Sequence, residues 1–347
     1  MFAIVSTPTC LDLPEGVQRT TIHTGRGSFA ALEAVPVPGA CERDAALLIP
    51  GYTGSKEDFL TILGQLAAGG RRVVAIDMRG QYETQGTDDL DGYSVSAVGS
   101  DILAVIRATG ARHVLGHSYG GLIAREAVLA GAVLAGSELA GSELAGSELA
   151  GSELAGSELA GSELAGSGDV GSLTLMSSGP AALSGRRAEI LRAVLAALGA
   201  EDGDLPDKPQ LQAGIAALWQ AYLEPQAVAE GVAEPVLAFL AKRMKSNDPN
   251  ALLLAARYLL TAADRTPDLA RLSQIPMLVL YGENDDAWPP AVQEDMARRL
   301  RARRVCIPCA GHSPAVEAPA TTARALTTFW EAAEAKPARP AAATRPV

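Results

Sequence analysis

The sequence predicts an α/β fold, a mostly parallel sheet with helices on both faces and a helical cap, and three observations predict it. Six short apolar runs each stop at turn residues, helical stretches lie between them, and one long interval carries helical patterns alone. Alternating strands and helices give a parallel sheet covered on both sides, because the connection between parallel neighbours must return across a face of the sheet.

In chain order the runs are AALLIPG (45–51), RRVVAIDMRG (71–80), HVLGHS (113–118), SLTLMSS (172–178), PMLVLYGE (276–283) and RRVCIPCAG (303–311). Each has the length and the bounding Gly, Pro or Ser of a strand buried on both faces. Between them SKEDFLTILGQLAA (55–68), SVSAVGSDILAVIRAT (94–109) and PAVQEDMARRLRA (290–302) read as helices, the first and last with clear start signals. Ahead of all these, TTIHTG (20–25) and SFAALEAV (28–35) predict an antiparallel hairpin at the sheet edge. Residues 179–273 contain SGRRAEILRAVLAALG, PQLQAGIAALWQAYL, PVLAFLAKRMK and DPNALLLAARYLLTA and no strand pattern. That is too long for a βα crossover, so a helical cap is expected there, inserted into a core formed by residues 1–178 and 274–335. The cap is rich in Leu, Ala and Val with Trp219, Tyr222 and Phe239 among them; most of this stripe is expected to pack the cap, and part to line an acyl pocket. The Pro/Ala-rich tail 336–347 is expected to be disordered.

Residues 135–164 are six identical copies of AGSEL. On a helix each five-residue step turns the leucine by about 140°, so the leucines scatter around the axis. On a strand an odd period sends them to alternate faces. Neither gives a buried stripe. The unit resembles the pentapeptide repeat, but six copies are too few for a stable solenoid. Ala, Glu and Leu favour a helix that extends the preceding one, while Gly and Ser favour a loop. Either way the repeat reads as a tandem-duplication insert at the end of the helix that begins near residue 119, where insertions cost little.

A chain of 347 residues with 48% hydrophobic residues can build a substantial core. Its net charge of −11 argues against nucleic acid and against an acidic membrane face, which both need basic stripes. No basic residue precedes the first apolar run, and Pro8, Asp12 and Glu15 soon interrupt it, so no signal peptide is read. Every apolar stretch stops short of the roughly 20 residues a membrane span needs. The four cysteines make no disulfide framework, which fits a reducing, cytoplasmic setting. Cys306 and Cys309 form a C-x-x-C with His312 three residues on, but no fourth ligand accompanies them, and no metal is expected.

Gly116-His117-Ser118-Tyr119-Gly120 matches the G-x-S-x-G nucleophile elbow in the strand-turn-helix setting that the motif requires. The serine must adopt a strained backbone at the strand end, and small neighbours let the following helix pack behind it. A serine hydroxyl needs a base. Of the four histidines, His23 lies in the hairpin, His113 begins the elbow strand, and His117 is expected to be held in packing beside the serine. His312 remains, in the loop after the last strand and facing the same sheet edge. The base needs a carboxylate to hold its tautomer. YGENDDAWPP offers Glu283, Asp285 and Asp286.

With GHSYGG at the elbow, GHSP before the last helix, and the order serine, acid, histidine, the chain outside the repeat and the termini resembles the α/β-hydrolase superfamily. Members commonly carry G-x-x-D-x-x-x-P, matched by Gly282, Asp285 and Pro289, which selects Asp285 with Asp286 as the fallback. The oxyanion needs two N–H donors. Tyr119 supplies one, and the resemblance takes the other from Pro50-Gly51-Tyr52-Thr53, hence Tyr52, although relatives often read His-Gly there. DMRGQYETQG matches the relatives' D-x-R-G-x-G-x-S except that Tyr82 replaces a glycine; Asp77 and Arg79 read as a structural turn pair. Serine at the elbow, in place of the aspartate of epoxide hydrolases and dehalogenases, implies an acyl-enzyme. The expectation is a cofactor-independent serine hydrolase acting on a small-molecule carboxylic ester. Thioester, amide and C–C hydrolysis or perhydrolysis on the same triad, and a non-catalytic binding protein on the same fold, stay open, as does the oligomeric state.

Overall fold

The computed structural model describes residues 6–36, 39–144, 170–200 and 205–335. Its centre is an eight-stranded sheet of order β1-β2-β4-β3-β5-β6-β7-β8. The strands are β1 (Val17–Thr24), β2 (Gly27–Ala34), β3 (Arg43–Ile49), β4 (Arg71–Ile76), β5 (His113–His117), β6 (Ser172–Met176), β7 (Met277–Gly282) and β8 (Arg303–Ile307). The hairpin β1–β2 and the β2–β4 pairing are antiparallel, and every later pairing is parallel.

The helices are α1 (Leu60–Ala67), α2 (Val95–Thr109), α3 (Tyr119–Leu144), α4 (Gly185–Ala197), α5 (Lys208–Leu218), α6 (Glu224–Ala229), α7 (Glu234–Ser246), α8 (Pro249–Thr261), α9 (Thr266–Ala270), α10 (Pro290–Leu300), α11 (Pro314–Glu317) and α12 (Pro319–Glu334). Alternation along β3 shows how both sheet faces are used. Ala46 and Leu48 join a core with Leu63 of α1 and Phe329 and Trp330 of α12. Leu47 and Ile49 join another with Ile102 of α2, Leu122 of α3 and Met296 of α10. Successive side chains on a strand point to opposite faces, so an unbroken apolar run feeds both cores.

Helices α4 to α9 all fall between β6 and β7. Ile215, Trp219, Leu240 and Met244 form a separate apolar cluster within them. Two of these helices, α6 and α9, are additional to the helical patterns read in the sequence. A π-helical turn, Trp219–Leu223, joins α5 to α6. The helix α3 runs through the first two AGSEL units to Leu144; the rest of the repeat, and the tail expected to be disordered, lie outside the described residues. Among the described residues no helix is long and apolar enough to cross a membrane.

Candidate active site

In a parallel sheet the loops after the strands open on one edge, and ligand sites gather there. Ser118 follows β5, Asp285 follows β7, His312 follows β8, and Tyr52 follows β3. Residues 194 apart in the chain therefore meet: His312 Nε2 lies 2.9 Å from Ser118 Oγ, and His312 Nδ1 lies 2.9 Å from Asp285 Oδ1.

Local sterics hold the serine. Its φ is 54°, in the left-handed region that a side chain adopts only at a cost of about 1–3 kcal/mol. A Cβ on Gly116 would collide with the Gly120 carbonyl and come within 2.6 Å of Gly121 Cα, while one on Gly120 would collide with the Pro50 carbonyl and come within 2.6 Å of Ile49 O. The G-x-S-x-G glycines are thus demanded by backbone approaching backbone on both sides of the turn. Tyr119 opens α3, where the first N–H groups have no partner inside the helix. The Gly51–Tyr52 loop runs alongside, since a Cβ on Gly51 would sit 3.3 Å from Ser118 Cβ.

Side-chain hydrogen bonds hold the other two groups. Asp285 Oδ1 also accepts the Ala287 N–H at 3.0 Å, and Oδ2 accepts Gln293 Nε2 at 2.9 Å. Burial alone would raise the Asp285 carboxyl, but the His312 ring and these donors outweigh it and hold it below the usual carboxylate range. A neighbouring stitch, Asn284 N–H to the Ala310 carbonyl at 2.8 Å, ties the acid loop to the histidine loop. Glu317 accepts from the N–H groups of Gly311 and Ser313, on either side of His312.

His117, expected to be packed beside the serine, gives its Nε2–H to the His312 carbonyl at 2.8 Å. Burial, reinforced by the nearby His312, pushes it down to about 3, so it stays neutral. Glu283 accepts the Cys309 N–H, and Asp286, the fallback acid, faces Arg187 of α4 at 2.6 Å. His23 bonds Ser28 within the hairpin. Asp77 and Arg79 are each ion-paired, but with different partners: Asp77 with Lys56 at 2.7 Å and Arg79 with Asp101 at 2.6 Å. Gln293, Glu317 and Arg187 escaped the sequence reading; the signal for Gln293 is a polar residue on the buried face of a helix.

A cavity of about 600 Å³ opens beside Ser118 and His312, and Tyr52 lines it together with Leu191, Leu195 and Leu252. Of the three aromatics singled out in residues 179–273, Trp219 is buried in the α4–α9 cluster, Phe239 packs edge-on against Tyr82, and Tyr222 lines the cavity while staying exposed.

Among the described residues Asp44, His113 and Glu334 bring together three atoms at metal-ligand spacing. Arg71 already supplies a cation to that cluster, bonded to Glu334 at 2.6 Å and to the Asp44 backbone carbonyl. A clip at Cys306 and Cys309 would have to withdraw His312, both of whose ring nitrogens face Ser118 and Asp285.

A model of the Alpha/beta hydrolase family matches residues 46–325. Among curated proteins the chain is 33% identical, over 95 residues, to a Variovorax paradoxus (strain S110) protein named as a carbamate hydrolase, RutD; the match spans 27% of this chain and about a third (35%) of that relative. Among solved structures, a thermophilic esterase from Thermogutta terrifontis with malate bound aligns at 19% identity and TM-score 0.60, over 91% of this chain and 99% of its own. The enol-lactonase from Burkholderia xenovorans LB400 aligns at 16% identity and TM-score 0.60, over 90% and 100%. At such identities these two likenesses speak to the fold.

Proposed function

The chain belongs to the α/β-hydrolase family, and from that premise we propose that it is a serine hydrolase cleaving carboxylic esters of small molecules through an acyl-enzyme. Ser118 is the nucleophile. As its oxygen attacks the ester carbonyl, His312 takes the proton at Nε2, and Asp285 stabilises the resulting imidazolium at Nδ1. The Tyr52 and Tyr119 N–H groups receive the developing oxyanion. His312 then returns the proton to the leaving alcohol, and a water activated by the same ring releases the acid. The observation that carries this reading is the unbroken relay of 2.9 Å contacts from Ser118 to His312 to Asp285.

Residues 179–273 act as the cap over this site, and their leucines receive the acyl group. Among the described lining residues Arg187 is paired with Asp286 and Asp58 with Arg243, which favours an uncharged, apolar acyl chain. The four cysteines are unbonded and exposed, in keeping with a cytoplasmic setting.

The test is a panel of p-nitrophenyl esters from acetate to decanoate. The wild type is expected to hydrolyse at least one of them about 10³-fold or more faster than Ser118→Ala, and a fluorophosphonate probe is expected to label Ser118. Equal rates in the two proteins, with no labelling, would remove the assignment.

A further inference from the structure

We propose that Gln81 is a positioning residue that sets the oxyanion hole by fixing the orientation of the Gly51–Tyr52 peptide; this rests on the serine-hydrolase reading above. Gln81 lies in the turn after β4 and is buried. Its Nε2 donates to the Gly51 carbonyl at 2.9 Å and to the Tyr52 carbonyl at 3.3 Å. Its Oε1 accepts the Met78 N–H at 3.0 Å. Because Met78 can only donate there, the amide cannot be flipped, and its nitrogen must face the two carbonyls. Gln81 is itself anchored, its N–H bonding the Met78 carbonyl at 2.9 Å.

The consequence follows from peptide geometry. The Gly51–Tyr52 bond is trans, and in a trans peptide C=O and N–H point in opposite directions. Pulling the Gly51 carbonyl toward Gln81 turns the Tyr52 N–H away from it. Gly51, Tyr52, Ser118 and His312 all line the large cavity, whereas Gln81 does not. The N–H is thereby aimed toward the reacting side. The Gly54 N–H bonds the same Gly51 carbonyl at 3.2 Å, so the loop's own turn and Gln81 share one acceptor. This loop follows Pro50 and lacks the His-Gly of many relatives, and its carbonyls are held by a side chain from the turn after β4.

The experiment compares wild type, Gln81→Met and Gln81→Glu, with rates expressed per fluorophosphonate-titrated site. Methionine keeps the volume and has no donor; glutamate keeps the shape and turns acceptors toward carbonyls. With p-nitrophenyl butyrate, kcat is expected to fall about 10- to 100-fold in both variants while KM stays within about twofold. The Ki of a trifluoromethyl ketone, which forms a tetrahedral adduct on the serine, is expected to rise by the same factor as kcat falls. A variant with wild-type kcat, a loss confined to KM, or a loss of kcat with unchanged Ki would each overturn the role. In the wild type itself, the Gln81 side-chain amide protons are expected to exchange slowly and to shift when the ketone binds; rapid exchange and no shift count against the role even if neither variant folds. Ester hydrolysis that survives Ser118→Ala would instead sink the underlying reading and leave Gln81 judged by its amide signals.

Discussion

Two serine–histidine–carboxylate arrangements stand at opposite ends of the sheet and share strand β5. At the outer end Ser118, His312 and Asp285 are linked by contacts of 2.9 and 2.9 Å. At the inner end Ser172 and His113 are cross-strand partners of β6 and β5, and Ser172 Oγ, His113 and Glu334 are linked by contacts of 2.8 and 3.0 Å. By distance alone they are equivalent. Ser172, however, sits in a regular strand and is fully buried, and the His113 ring is stacked on Trp330. Glu334 is shared with Arg71. Burial would raise Glu334, but Arg71 and His113 outweigh it and hold it down to about 2. Among the described residues Ser172 is not one with a left-handed backbone, and neither it nor His113 lines the large cavity. A hydroxyl, an imidazole and a carboxylate in line make a structural tie or a reactive centre according to access, backbone strain and what awaits the oxyanion.

The largest expected contrast comes from neutralising each carboxylate. Asp285→Asn is expected to lower kcat about 10⁴-fold, because an amide in that place favours the wrong tautomer of His312. Glu334→Gln is expected to leave kcat within about twofold and to destabilise the fold by about 2–3 kcal/mol, since Arg71 loses its counter-charge. Ester kinetics and urea unfolding measure both; a kcat loss in Glu334→Gln approaching that of Asp285→Asn would erase the distinction.

A smaller effect separates the sites by pH. Burial pushes His113 down to about 4, whereas an unfolded histidine titrates near 6.5. Between those values the unfolded chain binds the extra proton, so this contribution is full above about pH 6.5 and declines as the pH falls toward 4. His117, buried and lowered likewise, adds in the same direction. His113 is expected to contribute about 2 kcal/mol to the stability lost between pH 7 and pH 5. Replacing it with Gln should flatten the unfolding free energy over that range, and an undiminished pH slope would contradict the account. The smallest change is expected at the neighbour of the acid: Asp286→Asn, measured by kcat on the same esters, should stay within about threefold of wild type. A loss rivalling that of Asp285→Asn would move the acid by one residue.

The strands were legible because burial on both sheet faces writes unbroken apolar runs, and Ser118, Asp285 and His312 because each sits in a short motif beside such a run. Helices α6 and α9 span six and five residues, too short for a 3.6-residue period to declare itself. Gln81, Gln293 and Glu317 were not legible either. Gln81 bonds carbonyls 30 and 29 residues away, which nothing in its own neighbourhood records, while Gln293 and Glu317 bond partners within eight residues whose approach is set by the turns between them. The repeat divided the same way: its composition allowed helix and loop alike, and the first two units follow the helix in which they are embedded.

That helix has a bearing on how this gene can vary. With about 1.5 Å of rise per residue, α3 is about 39 Å long, while the dipole field at a helix start is set almost wholly by its first turn. Adding or removing one five-residue unit beyond that end is therefore expected to leave kcat within about twofold, which ester kinetics on length variants would check.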